Sequence, residues 1–238
     1  PRHRRGHRIM PSELNHRANI WAMKQLGVSW IISASAVGSL QPQYAPCEIV
    51  LIDQFIDNTK GRPASFFGDG FVAHVSMADP VCERLSKHAA KAVLASGGDC
   101  TEGATYLAME GPQFSTRAES RLYRHWGAEV IGMTAMPEAR LAREAELPYA
   151  LLAMVTDYDC WREDGNAVDV AQVVAQMQDN AELARKAVEL FCRSLPRQRT
   201  PSPIDRALDN AVITAPDKRD RGAMARLDAI AGRVISQG

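Results

Sequence analysis

Cysteine pairs, net charge and long apolar runs are all scarce in this chain, and each scarcity excludes something. The five cysteines, Cys47, Cys82, Cys100, Cys160 and Cys192, are odd in number, scattered and form no C-x-x-C pair, which argues against a disulfide framework or a zinc site. Free thiols in a reducing compartment fit that spacing. With 28 Lys+Arg against 28 Asp+Glu, the chain carries no excess of basic residues of the kind used to hold nucleic acid. No apolar run approaches the roughly 20 residues of a membrane helix. The arginine-rich N-terminus has no apolar core behind it, unlike a secretory signal. No membrane or nucleic-acid partner is therefore expected, and the cytoplasm is the expected location. The first residue is Pro1, as in a processed start or a segment of a longer chain.

What is present describes a globular protein. Hydrophobic residues make up 46% of the 238 and charged residues 24%, enough to bury roughly 70–75% of the unfolded surface without a covalent or metal staple. A single domain over 1–238 is expected, with a polar, proline-bearing linker from Pro196 to Pro203 and a final helix within 196–238. Helical spacing runs from Pro11 to Gly27 with Ser12 as N-cap, from Asp79-Pro80 to about Gly97, from Ser115 to Trp126, from Pro137 to Glu146, from Val168 to about Leu195 and from Lys218 to Ile235. Short apolar or β-branched runs at 28–35, 48–53, 104–109, 129–131 and 149–156 read as strands. Such alternation predicts an α/β fold with a mixed, largely parallel sheet flanked by helices, whose ligand crevice lies beyond the carboxyl ends of the strands.

Three of those strand ends carry polar groups. Ser33 to Ser39 reads as a small-residue turn, either structural or able to bring N–H groups close to an anion. Gly132-Met133-Thr134 offers a thioether to pack on a sugar and a hydroxyl for phosphate or for capping the next helix. Asp157 and Asp159, an i, i+2 pair at the end of an apolar strand, point two carboxylates to one side if strand alternation continues. Such acids suit a purine amine, a Mg²⁺ ion or a helix cap. The terminal run PRHRRGHR (1–8) could grip phosphate, form a basic arm or be a solvated tail.

Taken together, ANIWAMKQLG (18–27), SAVGSL (35–40), IDQFIDNT (52–59), RP (62–63), EGPQFSTRAES (110–120), WGAEVIGMTAMPEA (126–139) and AMVTDYDCW (153–161) resemble the S-methyl-5'-thioadenosine phosphorylases of the trimeric purine nucleoside phosphorylase family. The similarity runs from Arg2 to about Leu195, in the family's order. It implies a homotrimer with active sites near subunit boundaries, no metal or other cofactor, and inorganic phosphate as co-substrate of a nucleoside. It also implies roles. Arg2, His3, Ser35, Ala36 and Thr134 match phosphate contacts, and Met133 matches the residue beneath the ribose. Phe114 and Ser115 match the base pocket, with Asp157, Tyr158 and Asp159, of which Asp157 is the candidate general acid. Val170, Val173 and His74 match the 5'-alkylthio pocket, His74 coming from a neighbouring subunit.

The acids favour adenine. Relatives selective for 6-oxopurines carry Glu just after the Phe and Asn at the first acid, whereas this chain has Ser115 and Asp157, and a carboxylate facing a 6-oxo group sets acceptor against acceptor. A broader purine nucleoside phosphorylase, active on adenosine or 6-oxopurine nucleosides, is the nearest alternative. Two departures from the family pattern stand out. Its first strand and glycine-rich phosphate turn have no counterpart before Pro1, so the sheet is expected to lack its first strand. That loss raises the further alternative of an inactive purine-binding homologue. Arg4 stands where the family has glycine, a strained substitution if the position needs a positive φ.

Overall fold

The computed structural model describes residues 2–162 and 170–236. Five strands, β1 (Ile31–Ser39), β2 (Ile49–Asn58), β3 (Cys100–Met109), β4 (Val130–Gly132) and β5 (Tyr149–Asp157), follow one another around a closed barrel in the order β1-β4-β3-β2-β5. The pairs β1/β5, β2/β3 and β3/β4 are parallel, whereas β1/β4 and β2/β5 are antiparallel. The sheet is mixed as expected, but it is closed rather than open. Each strand has two neighbours, so the expected gap from a missing first strand is not seen.

Helices α1 (His16–Gln25), α2 (Glu83–Ala95), α3 (Arg117–His125), α4 (Ala135–Glu144), α5 (Val170–Arg193), α6 (Arg221–Arg226) and α7 (Asp228–Ile235) surround the barrel. One apolar cluster joins Ile20 of α1, Ala139 and Leu141 of α4 and Ile230 of α7 to Ile31, Val37, Tyr106, Tyr149 and Leu151 of the strands. A second packs Leu85, Ala89 and Val93 of α2 and Ala184, Ala187 and Phe191 of α5 against Ile49, Leu51 and Leu152. β5 serves both, which explains its unbroken burial from Tyr149 to Thr156.

Several element ends differ from the sequence reading for local reasons. Residues 11–13 form a 3-10 turn, and α1 starts later because Asn15, not Ser12, accepts the Ala18 N–H at 3.0 Å. α2 begins at Glu83, after Cys82, rather than at Asp79-Pro80. The last predicted helix is two helices, with Asp220 capping the first through the Ala223 N–H. Of the helix expected from Val168, residues 168–169 lie outside the described residues. The largest correction concerns Ser33–Ser39. It is strand throughout, its alternate residues buried, because small side chains let β1 lie flat against β5 from Ile31 to Gly38. Arg4 has φ +59°, so the position does hold a left-handed residue, which an arginine adopts at a cost of order 1 kcal/mol.

Candidate active site

β1 and β5 run parallel and end side by side, Gly38 opposite Asp157, where β1 also pairs antiparallel with β4 through Gly38 with Ile131 and Ser39 with Val130. Asp157 is the last residue of β5, and Asp159 lies beyond the strand at φ +51°. Strand alternation therefore does not align the two acids. A side-chain turn does: Asp157 Oδ1 accepts the Asp159 N–H at 2.7 Å, and Asp157 Oδ2 accepts the Thr156 hydroxyl at 2.7 Å. The facing position on β1 is Gly38. A Cβ there would stand 3.0 Å from Asp157 Oδ1 and 3.4 Å from Asp159 Cβ, so both acids pack directly on that glycine.

Burial raises the pKa of both carboxyls. The Thr156 hydroxyl and Asp159 N–H oppose the shift at Asp157, while the Ser120 and Ser115 hydroxyls and the Cys160 N–H oppose it at Asp159. By hydrogen-bond geometry Asp159 Oδ2 is buried without a partner, as is the Ser120 hydroxyl near it, so that oxygen retains room to accept. Ser115 belongs to the same neighbourhood, since its carbonyl accepts from Cys160 Sγ at 3.2 Å. Phe114 beside it is 44% exposed, an aromatic face left open. Tyr158 turns its ring edge to Trp161, whose indole N–H donates to the Ser39 carbonyl at 2.9 Å.

A second polar group gathers on the face of β1 that carries Ser33 and Ser35. Ser35 Oγ and Thr134 Oγ1 lie 3.4 Å apart, and the Thr134 N–H donates to Tyr106 Oη at 3.4 Å. Tyr106 reaches that point only because residue 132 is glycine: a Cβ there would fall 2.1 Å from the phenol oxygen. Ala36 follows Ser35 on the strand, and its carbonyl accepts the Ser35 hydroxyl at 3.2 Å.

Arg2 lies against this face, but its guanidinium is largely committed. It donates to both carboxylate oxygens of Glu138 at 2.8 and 2.7 Å, to the Ala34 carbonyl at 2.9 Å and to the Ser33 hydroxyl, leaving one of its five N–H groups unspent. Glu138 also accepts from Tyr149 Oη at 2.9 Å and Ser33 Oγ at 3.0 Å. Burial alone would raise the Glu138 pKa, yet Arg2 and the two hydroxyls outweigh it and hold the group ionised. His3 follows, its Nδ1 2.8 Å from the Ile9 carbonyl and its ring stacked on His7 at 4.2 Å. His16, at the start of α1, is buried with neither ring nitrogen bonded. Burial lowers its pKa, opposed by Glu138 and reinforced by Arg62, Arg2 and His3.

Met133 is held between the groups. Its carbonyl accepts from Arg62 Nη1 at 2.6 Å, and the same nitrogen donates to the Met136 carbonyl at 2.8 Å while Nη2 donates to the Glu110 carbonyl at 2.7 Å. One buried arginine thus ties the loop after β3 to the loop after β4.

The predicted 5' pocket is not gathered in the same way. His74 is exposed in the β2–α2 connection, its N–H donating to the Ala211 carbonyl at 2.8 Å. Val173 is half-buried on α5. The Val170 side chain and the segment 163–169 lie outside the described residues. A separate cleft of about 230 Å³, lined by Arg17, Trp21, Phe66, Asp69 and Arg226 among others, contains none of these groups. Among the described residues no cluster of three or more His, Cys, Asp or Glu could hold a metal, and no helix is long and apolar enough to cross a membrane.

Sequence reasoning missed Arg62, Tyr106, Glu138 and Tyr149. Arg62 and Glu138 stood inside runs already noted, and an isolated charge beside proline or within an apolar helix start was the available signal. Tyr106 and Tyr149 had none beyond a phenol within a buried strand, whose hydroxyl needs a partner.

The chain has known counterparts. Residues 4–193 match the family model described as the phosphorylase superfamily. The chain belongs to the phosphorylase superfamily. It is 53% identical over 237 residues to the S-methyl-5'-thioadenosine phosphorylase of Bradyrhizobium diazoefficiens, covering 99% of this chain and 81% of that one. The protein of the same name from Cereibacter sphaeroides is likewise 53% identical, with 99% and 82% covered. Among solved structures, a methylthioadenosine phosphorylase from an Antarctic soil metagenomic library superposes with a TM-score of 0.91 at 46% identity, covering 96% of this chain and 81% of that one. The methylthioadenosine phosphorylase of Schistosoma mansoni in complex with adenine gives 0.82 at 34%, covering 87% and 80%. As a phosphorylase, the protein uses phosphate as a substrate.

Proposed function

We propose that this protein cleaves S-methyl-5'-thioadenosine with inorganic phosphate to adenine and 5-methylthioribose 1-phosphate. A phosphate oxygen forms a bond to C1' as the bond from C1' to N9 of the purine breaks, and the electron pair left on the base is neutralised by a proton at N7. In this reading Asp157, whose carboxyl is made more basic by its burial, holds or donates that proton, a role worth typically 10²- to 10⁴-fold. Asp159 accepts from the 6-amino group. Phe114, Ser115 and Tyr158 border the base, and Met133 packs beneath the ribose. Ser35 and Thr134 offer hydroxyls to phosphate beside the Ala36 backbone and His3, with the last N–H of Arg2 available to them. No metal or other cofactor enters the reaction.

The observation that carries this reading is the unpartnered Asp159 Oδ2 beside a carboxyl of raised pKa. A buried acceptor left unmet costs about 1–3 kcal/mol, and an exocyclic amine supplies the missing donor where a 6-oxo group cannot. The relatives' shared name supports the same substrate. The working unit we infer is a cytoplasmic homotrimer of single-domain subunits serving nucleoside salvage. A neighbour's His74 joins Val170 and Val173 around the methylthio group. Asp157→Asn is expected to lower kcat/KM for methylthioadenosine by about 10²-fold or more and to narrow its advantage over the 6-oxo analogue methylthioinosine. An unchanged ratio of the two would remove Asp157 from base recognition.

A further inference from the structure

His3 is oriented by groups that restrict which nitrogen carries its hydrogen. A backbone carbonyl only accepts, so the 2.8 Å contact between Nδ1 and the Ile9 oxygen places a hydrogen on Nδ1. In neutral imidazole the other nitrogen, Nε2, is then a lone pair. The stack on His7, with the planes 9° apart, fixes the plane of the ring; a half-turn within that plane would put a carbon against the Ile9 oxygen and forfeit the hydrogen bond, and the chain around it is held by Arg8 N–H donating to the His3 carbonyl at 2.8 Å.

An anion arriving at Nε2 therefore meets an acceptor. Hydrogen phosphate resolves the conflict with its own P–OH, which donates to Nε2 without any proton leaving solvent. Sulfate has no such hydrogen near neutral pH and is accepted only if a proton from solvent moves onto Nε2. We propose that the Ile9 carbonyl and the His7 ring are positioning groups that make His3 select a hydroxyl-bearing oxyanion, phosphate, over sulfate. The proposal rests on the assignment of His3 to the phosphate site.

The groups facing His3 oppose its charging. Burial is the largest influence and lowers its pKa; the Ile9 carbonyl partly offsets this, and His7 and Arg2 add to it. From α1, the His16 ring shares the same neighbourhood. The carboxylate of Glu138 is turned to Arg2 and so does not recruit a proton to His3. The selectivity is consequently expressed at neutral pH and weakens in acid.

Calorimetric titration of the full chain with sulfate and, separately, with phosphate tests this in buffers of different ionisation enthalpy. Above the pKa of free His3, sulfate affinity is expected to fall about tenfold per pH unit with uptake of about one proton, while phosphate binding takes up distinctly less. His3→Gln, whose amide donates without titrating, should bind both anions with little pH dependence and abolish the discrimination. His7→Ala should shift the sulfate profile to higher pH. Equal pH dependence of the two anions, with no uptake on sulfate binding, would overturn the proposal if His3→Gln still weakens both. If His3→Gln leaves both affinities unchanged, His3 is not a phosphate ligand, and it is the underlying assignment that fails.

Discussion

Gly38→Ala probes the acid pair without replacing either acid. Gly38 has no left-handed φ, so alanine meets no backbone strain there and the effect is one of space. The added Cβ would lie 3.0 Å from Asp157 Oδ1 and 3.2 Å from Ile131 Cγ2, closer than the ~3.5 Å of a relaxed contact. Ile131 belongs to the buried end of β4 and has little room, so Asp157 must retreat by about 0.5 Å. That retreat strains its hydrogen bonds from Thr156 Oγ1 and Asp159 N, both 2.7 Å. Since a 1 Å misplacement in a site can cost about 10²-fold, half of it is expected to lower kcat/KM for methylthioadenosine about tenfold. The stability cost of one extra methyl is about 1 kcal/mol. Steady-state kinetics at saturating phosphate, paired with thermal unfolding, separate the two effects. A variant with kcat/KM within about twofold of the parent would show that the position of Asp157 does not govern turnover.

Other positions make distinct predictions. Glu138→Gln removes one partner of a nearly buried ion pair, the Glu138 side chain being 10% exposed, and should destabilise the fold by about 3–5 kcal/mol in urea denaturation at neutral pH. Because the folded Glu138 pKa is depressed, its contribution is complete above the ordinary carboxylate range and is lost as pH falls through the folded value. The gap between parent and variant should therefore close in acid, and a constant gap would contradict the pairing. Arg62→Lys cannot reproduce the fork that reaches the Met133, Met136 and Glu110 carbonyls. A loss of about 2–3 kcal/mol is expected, together with a higher KM for the nucleoside, and a denaturation midpoint equal to the parent's would refute the bracing role.

The fold and the site were legible in the sequence to different depths. β5 and the acids at its end announced themselves through an unbroken apolar run followed by Asp157 and Asp159, though the reason they converge, an N–H of Asp159 bonded to Asp157, is a turn geometry that spacing alone does not report. β1 was misread because Ser33 to Ser39 is small and polar, a composition that serves a turn and a tightly paired strand equally well. Barrel closure was invisible because it depends on two-residue pairing of Gly38 and Ser39 with Ile131 and Val130. Long-range partners were equally hidden. Arg2 and Glu138 are 136 residues apart, and nothing in a terminal basic run distinguishes an arginine bound to a buried carboxylate from one waiting for phosphate.

In the proposed reaction the purine leaves only as phosphate takes its place on the sugar. Incubating the purified chain with methylthioadenosine and following adenine and phosphate together tests it most directly. One adenine is expected for each phosphate consumed, with no release when phosphate is absent. Adenine formed at the same rate in phosphate-free buffer would contradict it, as would the absence of adenine at any phosphate concentration.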